Sequence, residues 1–293
     1  MTAPVLGDVL GPRGRRRVLV ASILSGLLLV WFVLVAFRRL SESGQLAKGK
    51  WTLFTDPAIL KFLGTGLLTT LQLAGASMAL ALVFGSLLAL GRLAKNGPTR
   101  WLTGGWVEVF RAIPLLLMIY FSARGLPRLD IDLPGFWYVV IGLTLYNSAV
   151  LAEIFRAGIL SLDRGQTEAA SAIGMTYWQT MLLVVIPQAF RRMVPAIVSQ
   201  LITLLKDTSL AFIVPLEELL RRAFIVGDQP GKPLLQSLFI AALIYVAVNF
   251  TLSRVARRLE VRQRRRYGAG GIAVTGAEDL ALVNAAAERS AGL

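Results

Sequence analysis

The stretch EAASAIGMTYWQTMLLVVIP, residues 168–187, decides how often this chain crosses a membrane. All of it but Glu168 lies within an uncharged run over 169–190, and about 20 predominantly apolar residues suffice for a transmembrane helix. Its content argues against crossing. Ser171, Thr176, Gln179, Thr180 and Gln188 are polar, and Gly174 and Pro187 punctuate the run. Proline removes a helical donor and crowds the preceding turn. The run therefore reads as short helices with a bend, broken at both ends and lying at the interface or in the cytosol. Read as a span, it would also place Arg191 and Arg192 outside.

Working outward, the remaining apolar segments give six spans, at 18–37, 62–91, 101–123, 136–159, 189–214 and 234–256. Pro114 should break or kink the third. Arg13, Arg15, Arg16 and Arg17 precede the first span, and Arg254, Arg257, Arg258 and 262–266 end or follow the last. An even number of spans with basic residues at both tails predicts cytoplasmic termini. Arg38 and Arg39 partly oppose that bias. The first span is too long for a signal-peptide core, and Ala36-Phe37-Arg38 is a poor cleavage site, so it reads as an anchor helix. The expected organisation is a basic cytoplasmic tail (1–17), an anchor (18–37), an external linker (38–61), a transmembrane domain (62–256) and a basic, flexible cytoplasmic tail (257–293).

Composition agrees. Of the 293 residues, 55% are hydrophobic and 16% charged, well below the quarter or so usual in soluble domains. The net charge of +14 suggests a nucleic-acid binder until the basic residues are located. They cluster between apolar stretches and at the tails, which is a membrane pattern and points to a lipid bilayer as partner, with no nucleic acid. With no cysteine and no histidine, disulfides, thiol nucleophiles, imidazole bases and the usual zinc sites are out of reach. The run GQLAKGK, residues 44–50, resembles a phosphate loop, but Trp51 stands where the magnesium-binding Ser or Thr belongs and no strand precedes it.

The fragments carrying chemistry occur in order along the chain. They are VEVFRAIP (107–114), LAEIFRAGI (151–159), GQTEAA (165–170) and LKDTSL (205–210). Between the last two, Glu168-Ala169-Ala170 is followed after three residues by Gly174, and after nine more by Val184-Val185-Ile186-Pro187. This spacing resembles the EAA loop of permease subunits of ATP-binding-cassette (ABC) importers, in their polar amino-acid uptake branch. The likeness covers about residues 60–256. It implies an all-α membrane bundle, the five-span type I importer core plus one N-terminal span. It also implies partners: ABC ATPase subunits, a second permease copy or homologue, an extracytoplasmic solute-binding protein and an amino-acid substrate. The fragment LTLYNSAVLAE (143–153) and the additional span lean towards glutamate and glutamine importers.

The resemblance makes 160–187 a coupling loop docking on the ATPase. Gly174 would permit its turn by tolerating positive φ. Glu168, near a helix start, would be favoured by the helix dipole. Met175 and Trp178 would enter the partner's groove. The chain would be a transporter subunit of the bacterial cytoplasmic membrane, with no cofactor or metal of its own; ATP and Mg would belong to the partner ATPase. Charges at membrane depth face cavities or partners. Glu153 and Asp207 therefore either line the substrate path, with Tyr146, Asn147, Thr208 and Ser209 adding hydrogen bonds, or pair within the bundle. An ion-driven secondary transporter or a non-transporting scaffold remain as alternative classes. Internal repeats, expected of the first, are not evident, and the EAA spacing is not required by the second.

Overall fold

The computed structural model describes residues 11–228 and 232–268, with the backbone alone for 259–268. The stretch 269–293 lies outside them. Every regular element among the described residues is helical. Among the described residues five helices are long and apolar enough to cross a membrane, and one bent pair adds a sixth if the pair is a single broken span. The chain is a multi-pass membrane protein.

Helix α1 (Pro12–Glu42) carries the first apolar run, and its central stretch is wholly exposed to the surroundings of the bundle. The segment expected to be a bare linker holds a short helix, α2 (Lys48–Thr52), and a 3₁₀ turn (Leu53–Thr55) whose Phe54 is buried. Asp56 caps α3 (Pro57–Arg92), its Oδ1 accepting from the Ala58 amide at 2.8 Å, with Pro57 in the first turn, where a missing donor costs nothing.

Helices α4 (Gly97–Ala112) and α5 (Leu115–Gly125) meet at 98°. The expected third span is thus broken at 112–114, where Pro114 cannot continue α4. Helix α6 (Gly135–Leu160) is central, packing on α3, α4, α5 and α9. A Cβ on Gly142 would come within 2.8 Å of the Ile119 backbone, so α5 and α6 touch main chain to main chain.

Helix α7 (Arg164–Ala172) follows, then a turn and α8 (Tyr177–Gln179). A π-helical turn (Thr180–Val185) carries the chain directly into α9 (Ile186–Asp207). This corrects the expected break at Pro187. The wider π turn admits one additional residue and draws the preceding carbonyls away from the proline ring, so the helix passes through. A 3₁₀ turn (Thr208–Ile213), α10 (Leu219–Gly227) and α11 (Leu234–Gly268) complete the fold. Backbone helix continues to Gly268, beyond the expected end of the last span and into the stretch read as a flexible tail.

The end of the bundle carrying 161–185 is called the loop end below, and the opposite end the far end. Buried side chains form three clusters. Met78, Val107, Leu151, Phe155 and Met193 fill the loop-end half. Leu73, Ile119, Val140 and Leu143 continue towards the far end. Leu63, Leu219, Ala223 and Ala241 fasten α10 against α3 and α11.

Candidate functional site

The loop is built on a tight turn. Asp163 caps α7, its Oδ1 accepting from Gly165 N at 2.7 Å. Glu168 sits mid-helix, so the role at the helix start expected for it belongs to Asp163. After α7 the Met175 amide donates to the Ala170 carbonyl, and Gly174 takes φ +82°, which carries little penalty only without a Cβ. Thr176 and Gln179 then form a capping box. Ala170 is buried and α7 packs on the π turn. Gln188 donates to Gln166 (3.0 Å) and Arg192 to the Ser161 carbonyl (2.6 Å), fastening both the loop and the end of α6 to α9.

The loop presents a rim of large apolar side chains. Ile173 is 79% exposed, Leu183 69% and Trp178 62%, with Tyr177 and Leu182 beside them. Glu168, Ala169 and Pro187 are also exposed, whereas Met175 is half-buried. Lys95, from the α3–α4 turn, lies 5.5 Å from the Tyr177 ring centre. The motif pointed to this loop, but Ile173, Tyr177, Leu182 and Leu183 were missed. Their signal was an apolar cluster without a core to join.

The path candidates separate. Asn147 is fully buried at mid-span, donating to the Leu143 carbonyl (2.7 Å) and accepting from Gln200 Nε2 (2.7 Å). Tyr146, one residue away, is half-buried. Thr208 is fully buried, its hydroxyl donating to the Leu205 carbonyl at 2.6 Å. Asp207 and Ser209 are half-buried where α9 gives way to the 3₁₀ turn. Glu153 lies near the loop end of α6 with both oxygens engaged. Arg92 Nη1 is 2.6 Å from Oε2 and Arg156 Nη2 is 2.5 Å from Oε1. This is the bundle pairing that the sequence left open, with Arg92 as an unforeseen partner.

Two polar features escaped sequence reading. Along α9, Ser199, Thr203 and Lys206 are exposed at spacings of four and three, with Gln200 and Asp207 half-buried beside them. That i, i+4, i+7 stripe was visible as a pattern. At the far end, Glu218 is fully buried and caps α10, accepting from the Leu220 (2.8 Å) and Arg221 (2.7 Å) amides and the Tyr245 hydroxyl (2.9 Å). Burial pushes the Glu218 carboxyl above its ordinary 4.5, against the pull of those three donors. Thr70 on α3 accepts from the adjoining Leu219 amide at 3.2 Å. An apolar groove of about 550 Å³ between α3, α4 and α6, lined by Phe84, Trp106 and Trp137 among others, includes none of the path candidates. Among the described residues, no group of three or more Asp or Glu side chains could hold a metal ion.

Comparison with known proteins places this geometry. The family described as "Binding-protein-dependent transport system inner membrane component" matches residues 81–265. The probable glutamine ABC transporter permease protein GlnP of Bacillus subtilis is 46% identical over 206 residues, covering 70% of this chain and 94% of its own. The glutamate transport system permease protein GluD of Corynebacterium glutamicum is 40% identical over 230 residues, covering 77% and 84%. Among solved structures, one described as an amino acid ABC transporter with histidines aligns with a TM-score of 0.65 at 30% identity, covering 69% of this chain and 94% of that one. The chain belongs to the binding-protein-dependent transport system inner membrane components, the permease subunits of ABC importers.

Proposed function

We propose that this chain is the membrane subunit of an importer for polar amino acids, with glutamine and glutamate the first substrates to test. Relatives named for those two substrates are 46% and 40% identical to it. The observation that carries the mechanism is the rim of Ile173, Tyr177, Trp178 and Leu182–Leu183, held out on a braced turn continuous with a span. An exposed apolar rim of this kind marks a docking surface. The rim would sit in a groove of an ABC ATPase on the cytoplasmic side, with Glu168 facing the partner. Both termini would then be cytoplasmic. A second permease copy or homologue would complete the path, and a solute-binding protein would deliver substrate outside. ATP and Mg would be held by the ATPase.

The substrate path is assigned to the polar stripe of α9. Polar side chains at membrane depth that find no cover in the chain need water or a partner beside them. Ser199 and Lys206 meet that condition, with exposed Thr203 between them giving its hydroxyl to the Ser199 carbonyl. Asp207 and Ser209 sit at its far-end limit, and Tyr146 and Asn147 flank it from α6. Lys206 suits a substrate carboxylate and Asp207 an α-ammonium group. Buried Thr208 would shape the turn that presents them.

The test is reconstitution in liposomes with an ATPase, a partner permease and a binding protein. Glutamine- or glutamate-dependent ATP hydrolysis is expected. Glu168→Lys and Gly174→Asp should abolish it while the chain still inserts. Hydrolysis indifferent to any amino acid, or untouched by both substitutions, would overturn the reading.

A further inference from the structure

The contacts that brace the loop differ in reach. Gln166–Gln188 and Ser161–Arg192 close the base of the hairpin made by α6, the loop and α9, and Asn147–Gln200 closes its middle. These join segments that follow one another through the loop. They make the hairpin one body, with Asn147 fully buried as its innermost fastening. The Arg92–Glu153 pair does something else. It leaves the hairpin and reaches the last residue of α3.

The chemistry of that pair suits a contact that opens and closes. Arg156 lies on the same helix as Glu153 at i, i+3, so it travels with the carboxylate and keeps it paired and aimed in any position of α6. Arg92 is the partner whose distance depends on where α3 lies relative to the hairpin. The Arg92 and Glu153 side chains are 17% and 26% exposed, so neither is sealed in the core. On separation Glu153 keeps Arg156, and Arg92 lies at the last residue of α3, at the end of its span. A fully dry pair would lack this freedom, because separating it leaves a buried unpaired charge.

Helix α3 makes the contact consequential. It is 36 residues long, about 54 Å at 1.5 Å per residue. About 33 Å back along it from Arg92, at 1.5 Å per residue, Thr70 accepts from the first amide of α10, and one turn further Gly66 lies so close to α10 that a Cβ would meet the Leu219 backbone at 3.1 Å. One helix thus joins the loop-end ion pair to the far-end helix.

We infer that Arg92–Glu153 is a make-and-break bridge that passes displacement of the coupling hairpin to α3 and so to α10. Glu153 is then a positioning residue rather than a substrate contact. The inference rests on the coupling role proposed above.

The experiment uses the full transporter complex in liposomes. The chain has no native cysteine, so pairs can be introduced into it without background from its own sequence. With a short thiol cross-linker, an Arg92→Cys/Glu153→Cys pair should be captured at least fivefold more slowly after trapping with ATP and vanadate than at rest. An Asn147→Cys/Gln200→Cys pair should change less than twofold. In parallel, Arg92→Gln should reduce the ratio of amino-acid-stimulated to basal hydrolysis at least fivefold at equal amounts of assembled complex, while Arg92→Lys recovers at least half of it. Equal capture of the first pair in both states, or Arg92→Lys behaving like Arg92→Gln, would overturn the bridge in a wild-type complex that is still stimulated. A wild-type complex that no amino acid stimulates would overturn the proposed function, and the bridge with it.

Discussion

Two glutamates mark the two ends of the bundle, and they are satisfied in opposite ways. Glu153 at the loop end is shared by two arginines and keeps a quarter of its side chain exposed. Glu218 at the far end is fully buried and is held by neutral donors, two amides of its own helix start and the Tyr245 hydroxyl. A charge met by charges within reach of water can exchange partners. A carboxyl enclosed in a dry shell of neutral donors cannot do so without stranding them. The loop end is built to be rearranged, and the far-end helix is built to stay attached.

The largest expected effect follows from the dry site. Glu218→Ala would leave two amides and a hydroxyl without an acceptor, a loss of about 2–3 kcal/mol. Thermal unfolding of the purified chain in detergent measures it. A smaller loss than that of Glu153→Ala would break the comparison.

Next is the dry amide pair. Asn147→Leu removes the acceptor for Gln200, which is itself half-buried. About 1–2 kcal/mol is expected in the same assay. A neutral result would mean that the hairpin is not fastened at its middle.

Glu153→Gln should cost about 1 kcal/mol or less, as partly exposed ion pairs do. Its effect on the coupling of hydrolysis to substrate should be far larger than its effect on stability. Similar losses in both would count against a mobile role for the loop end.

The smallest effect is on pH dependence. The Glu218 carboxyl is raised above 4.5 by burial. A raised acid contributes its full stability below the unfolded value and loses it as pH rises through the folded one. The melting temperature should therefore decline from about pH 4.5 upward, by a few degrees at most. Glu218→Gln should flatten that decline; an unchanged slope would exclude Glu218 as its source.

Much of this was legible from the chain alone. Spacing placed the loop, and proline chemistry placed the break at 112–114. Gly174 announced a turn that wanted positive φ. What could not be read was pairing across distance. Arg92 and Glu153 are 61 positions apart and Asn147 and Gln200 are 53 apart, and no local pattern joins them. Glu218 sits between two spans in a stretch, PLEELLRR, whose local pattern gives no sign of burial. Only the packing of α10 on α3 and α11 buries it. Thr208 was grouped with Asp207 by adjacency, although one residue along a tightening helix is enough to turn a side chain from half-buried to fully buried. Pro187 does not end the helix, because a wider turn accommodates its ring as well as a break would.

That wider turn also fixes an angle. In an α-helix each residue advances the direction of the side chains by about 100°, and a π turn inserts one residue without moving the helix ends apart by a full step. The residues before Thr180–Val185 are therefore out of phase with α9 by about that angle. The turn acts like a keyed joint, setting which compass bearing Tyr177 and Trp178 face for a given orientation of the span. Deleting one residue within it would leave the composition and hydrophobicity of the loop almost intact, yet would shorten the motif by one position and rotate its rim about a quarter turn away from whatever it engages.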